Sequence, residues 1–201
     1  MKSLYESILS STNTGKAPLV KAWLEEHDIK NYTINTRGDI DIDGDIKITY
    51  KNIKEFPSFI QFGTIKGNFD CKHNNLISLK GAPREVKGTF DCSCNDLTSL
   101  EGAPEKVGGS FDCAHNDLTS LEGAPDKIKG YFDCGCNEIK DLKGAPKVVG
   151  GYFHCGDNNL TSLKGSPKVV GGNFICRNNT AQFSEEDVNK VCKVESKSIW
   201  V

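Results

Sequence analysis

The sequence predicts a repeat solenoid: a parallel β-sheet built from 21-residue coils, with a non-helical convex side and a small helical cap at each end. Three columns of residues carry this expectation. Phe69, Phe90, Phe111, Phe132, Phe153 and Phe174 follow one another at a fixed step of 21 residues. Cys71, Cys92, Cys113, Cys134, Cys155 and Cys176 keep the same step, and so do Asn74, Asn95, Asn116, Asn137, Asn158 and Asn179. A period of this length marks stacked units, each of which buries its apolar face only against its neighbours.

Within one coil, Phe111, Asp112 and Cys113 alternate, so Phe and Cys share one face of a short strand and Asp takes the other. Residues 67–71, 88–92, 109–113, 130–134, 151–155 and 172–176 are therefore expected to stack as one parallel sheet, with about 4.8 Å between neighbours. The remainder of each coil, LTSLEGAP in its commonest form, brings Gly and Pro too close together for a helix, so it should be extended or turn-like. Phe and the repeating leucines Leu79, Leu100, Leu121, Leu142 and Leu163 fill the interior, each contributing roughly 1.5–3 kcal/mol. An asparagine at the same buried position of every coil is expected to satisfy backbone groups where the chain turns. Gly102, Gly123 and Gly144, with the pair Gly108 and Gly109, are expected to supply positive φ or close backbone approach.

A solenoid exposes an apolar cross-section at each end and needs caps. Residues 1–43 read as a helical cap with entry strands, 44–66 as a degenerate first coil, 67–179 as the regular repeats, and 180–201 as a cap helix and edge strand. Leu4, Ile8 and Leu9 suggest one short helix, and Pro18 followed by Val20, Trp23 and Leu24 suggests a second. In the degenerate coil Ile46, Ile48, Ile53 and Phe56 stand in for the later columns. At the other end Ser184 with Asp187 three residues on makes a helix N-cap, and the closing SIWV an edge strand. Trp23 and Trp200 are both expected in the cap cores.

The chain has 201 residues, 37% apolar and 26% charged, a mixture typical of a folded globular protein rather than a disordered one. A formal net charge of -2 gives no reason to expect nucleic acid as a partner. No stretch approaches the length of a membrane span, and the opening residues lack the apolar run of a secretory signal, so no membrane association is expected and a cytoplasmic location is. Nine cysteines in such a chain are expected as free thiols.

From Phe111 to Pro125 the coil reads FxCxxNxLxxLxxxP. This resembles the leucine-rich repeat, especially the short bacterial form of the YopM and IpaH effector class, in which LTSL and a following proline recur. The resemblance spans about residues 44–181, with Phe and Cys placed where that class has aliphatic residues. The Phe-Cys coils behind MKSLYESIL are also similar to repeat proteins of bacteriophages and gut bacteria, which implies a host-cytoplasmic location if the source is a phage. The resemblance implies the solenoid fold and says less about function, because sites are grafted onto folds. The IpaH class carries a large ligase domain after its repeats, where only about 20 residues follow the repeats in this sequence.

The candidate functional residues lie on the outward face of the predicted sheet. Asp70, Asp91, Asp112 and Asp133 form a column that gives way to His154, with Tyr131 and Tyr152 on one side of it and Lys72 and Arg177 on the other. Like charges directly opposite one another destabilise a sheet, so the column needs a compensating reason. It is open to three readings: a solvated face that discourages aggregation, recognition of a basic partner, or a bound divalent cation. The last is disfavoured because calcium needs many converging oxygens and the column offers one carboxylate per strand. Tyrosine supplies contact area and a polar handle, which suits either a binding surface or a stabilising cross-strand pair.

Residues 85–133 hold ten acidic side chains against four lysines, and residues 140–177 hold six basic against two acidic, an asymmetry suited to a bipolar partner or to self-association. His73, Cys94, His115, Cys136, Asp157 and Asn178 form a column of zinc-ligand residue types. Donors spaced about 4.8 Å apart cannot all reach one tetrahedral ion at about 2.0–2.3 Å, so no metal is expected. Nor is a cofactor, because no phosphate-binding loop, dinucleotide fingerprint or HExxH occurs. The expectation is a non-enzymatic protein-binding module, an adaptor or antagonist that presents this acidic, tyrosine-containing face. A structural or self-assembling component is the alternative.

The inward assignment of the phenylalanines is directly testable by urea unfolding. Phe111→Ala should cost about 3–5 kcal/mol, whereas Asp112→Ala should be neutral or stabilising. The reverse order would show that the two faces of the strand are exchanged.

Overall fold

The computed structural model describes residues 16–201. The helix expected around Leu4, Ile8 and Leu9 lies outside the described residues. Over these residues the protein is a parallel β-solenoid of about eight turns, with coils of about 21 residues and two short helices.

The phenylalanine strands stack as expected. The chain-order strands β3 (Ile46–Lys47), β5 (Phe69–Asp70), β7 (Phe90–Asp91), β9 (Phe111–Asp112), β11 (Phe132–Asp133), β13 (Phe153–His154), β15 (Phe174–Ile175) and β17 (Ile199–Trp200) form one eight-stranded sheet, here called the phenylalanine sheet. Register is kept throughout: Phe90 opposes Phe111, Phe111 opposes Phe132, and Ile46 opposes Phe69 across the longer 23-residue first coil. Every ring from Phe69 to Phe174 is fully buried, with neighbouring centroids 5.2–5.8 Å apart.

The segment expected to be merely extended forms a second sheet, which was not anticipated. β1 (Tyr32–Ile34), β2 (Ile40–Ile42), β4 (Phe62–Ile65), β6 (Glu85–Val86), β8 (Lys106–Val107), β10 (Lys127–Ile128), β12 (Val148–Val149), β14 (Val169–Val170) and β16 (Lys193–Val194) form this nine-stranded valine sheet. All its pairings are parallel except that of β1 with β2. Val86, Val107, Ile128, Val149 and Val170 are its inward column, buried in the same core as the phenylalanines. Once the coils are in register, any extended segment meets its own copy one coil away and the backbone groups pair.

The asparagine column closes the corner after each phenylalanine strand. The amide nitrogen of Asn116 donates toward the carbonyls of Cys92, Cys113 and Ala114 at 3.1, 3.1 and 3.3 Å, and its oxygen accepts from the Leu97 N–H at 3.0 Å. One side chain thus ties its own coil to the preceding one. The residue just before it takes a left-handed conformation in every coil, with φ of 51–55° at His73, Cys94, His115, Cys136, Asp157 and Asn178. His, Asp and Asn are among the non-glycine residues that enter this region most readily, which accounts for four of these six positions. The two glycine classes divide the expected roles. Gly102 sits at φ +87°, and Gly109 lies so close to the preceding coil that an added Cβ would stand 2.9 Å from the Gly88 carbonyl carbon.

Both ends carry the expected elements. α1 (Lys16–Glu26) buries Val20, Ala22, Trp23 and Leu24, and Trp23 packs edge-on against Phe56 and Phe62 at 6.2 and 6.1 Å. α2 (Glu185–Val191) starts at a capping box in which Ser184 accepts from the Asp187 N–H while Asp187 accepts from that of Ser184. SIWV supplies β17. Trp200 departs from expectation: it aligns with Ile175 on the outward face and is 48% exposed, because strand alternation sends its neighbour Ile199 inward instead.

Asn116→Ala should cost about 3 kcal/mol or more, since it strands a buried N–H and removes hydrogen bonds from buried carbonyls. Asn179→Ala, made at the partly exposed last corner, should cost distinctly less. Denaturant titration of the two variants checks the ranking, and equal losses would show that the corner network is not the source.

Candidate functional site

The aspartates, histidine and tyrosines predicted as a site are brought together on the outer face of the phenylalanine sheet. Asp70 opposes Asp91, Asp91 opposes Asp112, Asp112 opposes Asp133, and Asp133 opposes His154. Lys47 opposes Asp70 and continues the column at its start, a position hidden in the sequence by the 23-residue offset of the first coil.

The column has a local folding role that its repetition alone did not disclose. Each carboxylate accepts a hydrogen bond from the backbone N–H two residues on: Lys72 to Asp70 at 3.3 Å, Ser93 to Asp91 at 3.1 Å, Ala114 to Asp112 at 3.1 Å, and Gly135 to Asp133 at 2.9 Å. Aspartate thus holds the chain as it leaves the strand. These side chains are also less solvated than an outward column suggests, since coil neighbours cover part of each one.

Charge compensation differs from coil to coil. Lys72 reaches across to Asp91 at 3.0 Å and Asp70 at 3.6 Å, and the Ser93 hydroxyl donates to Asp91 at 2.6 Å. His154 places Nδ1 3.0 Å from Asp133. Hydrogen bonding to Asp133, opposed by burial, raises the histidine pKa above its ordinary value. The imidazole lies over two glycines: a Cβ at Gly135 would stand 2.7 Å from its Cε1, and one at Gly156 3.0 Å from its Nε2. That Nε2 is buried without a hydrogen-bond partner.

Asp112 stands between these two arrangements. Among the described residues no basic side chain forms an ion pair with it, and its nearest side-chain partner is the Tyr131 hydroxyl at 3.5 Å. Burial, with Asp133 and Asp91 on either side, pushes its pKa up to about 6 despite the Ala114 N–H. Tyr131 stacks on Tyr152 with ring centroids 4.6 Å apart and planes 3° from parallel. Burial and the neighbouring aspartates push Tyr131 up to about 12, and the same causes raise Tyr152. Arg177 lies on the flank two coils past Gly135, exposed, with no ion pair to the column among the described residues.

The column cysteines face the interior. Burial pushes the thiols of Cys71, Cys92, Cys113, Cys134 and Cys155 well above their usual range, so they are poor nucleophiles. Cys94 and Cys136 are partly exposed in the left-handed turns, and among the described residues no three metal-binding side chains converge on one point. No helix among these residues is long and apolar enough to cross a membrane. Comparison with protein families, curated proteins and solved structures finds no match to this chain.

An acid whose pKa is raised by folding costs stability when it ionises, and that cost grows as pH rises from about 4 through about 6. Asp112→Asn keeps the acceptor for the Ala114 N–H and removes the charge. It should therefore be more stable than wild type at pH 7–8, on the order of 2 kcal/mol, with the gap closing near pH 4. Thermal melts across this range check the sign. A gap independent of pH would show that Asp112 is solvated like an ordinary aspartate.

Proposed function

We propose that this protein is a non-enzymatic binding module, and that the outer face of the phenylalanine sheet recognises a basic surface on a partner protein. The observation that carries this reading is the uncompensated Asp112. Lys72 pairs with Asp70 and Asp91, and His154 lies on Asp133, yet among the described residues no cation pairs with the central carboxylate. Beside it the flanking positions are Ser93, Ala114 and Gly135, none of which carries a charge that could pair with it as Lys72 does with Asp91. A lysine or arginine from a partner meets a carboxylate there already partly stripped of water, where a charge-assisted hydrogen bond gains more than on an open surface. The stacked Tyr131 and Tyr152 supply rigid amphipathic area next to it.

This reading fits an adaptor or an antagonist, and for a phage-encoded protein a host-cytoplasmic target.

Quantitative pull-down from the native host lysate tests the proposal. Asp112→Lys combined with Tyr152→Ala should lose the proteins captured by wild type, and capture by wild type should weaken as salt is raised. Equal capture by both forms, each shown folded by circular dichroism, would remove the face from consideration.

A further inference from the structure

Away from the acidic face, charge is ordered along one edge of the solenoid. Two rows of exposed residues run there with one member per coil, Glu101, Glu122, Lys143 and Lys164 in the first, Glu105, Asp126, Lys147 and Lys168 in the second. The coils are in register along both, since the Leu142 N–H donates to the Lys164 carbonyl at 2.9 Å and the Lys168 N–H to that of Lys147 at 2.8 Å. One coil before them, Lys80 and Arg84 border a single shallow depression with Gly81, Ala82 and Gly102, so the two rows flank a common strip. Along that strip lie Gly102, Gly123, Gly144 and Gly165, exposed and without side chains to hold a second surface away.

Two coils of this edge are thus doubly acidic and the next two doubly basic. At the boundary the charges are satisfied within the chain, Lys143 on Glu122 at 2.7 Å and Lys147 on Asp126 at 2.9 Å. The outer coils are not, for among the described residues Glu101, Glu105, Lys164 and Lys168 form no ion pair. Three coil steps of about 4.8 Å separate the free carboxylates from the free ammonium groups, too far for them to meet within one chain.

Reversing the edge about its midpoint exchanges every acidic position for a basic one. A second copy laid edge to edge, with its stacking axis antiparallel, sets Glu101 and Glu105 against Lys164 and Lys168, and the same pairing recurs at the other end. A parallel arrangement sets like against like. A partner of one sign would meet repulsion over half of the edge, whereas the edge complements itself.

We propose that this edge is a self-association surface, occupied by the same edge of a second copy related by a two-fold axis between the coils of Glu122 and Lys143. The charges left unpaired in each chain become intermolecular ion pairs, and the isologous contact closes at two copies rather than propagating. Exposed ion pairs are individually weak and screened by salt, so the dimer is weak, with Kd on the order of 100 µM at low ionic strength.

Sedimentation velocity on the full chain from about 5 to about 500 µM, at about 20 and about 300 mM salt, tests this. The expected result is a monomer–dimer equilibrium whose Kd rises about tenfold or more at the higher salt. Glu101→Lys with Glu105→Lys, and separately Lys164→Glu with Lys168→Glu, should each abolish dimerisation of the variant. All four positions are exposed, so folding should be intact, as circular dichroism would show. Mixed together, the two variants should form a heterodimer, because each presents one sign at both ends of the edge to the opposite sign on the other. Asp112→Lys should leave Kd unchanged, which separates this edge from the proposed partner site. A monomer throughout, open-ended oligomers, a dimer that survives either double substitution, variants that fail to pair with each other, or a Kd moved by Asp112→Lys would each overturn the proposal.

Discussion

Each coil lies on the next in register, so a backbone group finds its partner in the neighbouring coil rather than its own. The Phe111 N–H donates to the Tyr131 carbonyl and that of Cys113 to the Asp133 carbonyl, both at 2.9 Å. This places most side chains directly on their own counterparts, and whatever stands in a column must tolerate a copy of itself on each side. Phenylalanine does so by offset stacking, asparagine by sharing its amide between two coils, and glycine by having nothing to collide. Few residue types pass this test, which is why the period is so strict at inward positions and corners and so loose elsewhere.

Aspartate is the exception among the columns. Four carboxylates on adjacent strands repel one another, and what keeps them there is local: each accepts an N–H from its own strand exit. Repulsion is then relieved unevenly, by Lys72 at one end and His154 at the other. The residual strain falls on Asp112, whose raised pKa is the electrostatic expression of that imbalance. A column serving the fold alone would gain from a cation or an asparagine at that position. Retaining an ionisable, uncompensated group beside a rigid tyrosine pair is what makes this part of the face a candidate for recognition.

The strands, their facing, the asparagine corners and the helix caps were legible in the sequence because each is written as a repeated residue type. The valine sheet was equally written, as Val86, Val107, Ile128, Val149 and Val170, but Gly and Pro around it drew attention to turns. Two-residue strands carry too little alternation to announce themselves. The role of the aspartates as strand-exit acceptors was hidden for a different reason: it depends on where a backbone N–H points, which no side-chain pattern records. Trp200 was misplaced because size suggested burial while the parity of the strand decided otherwise.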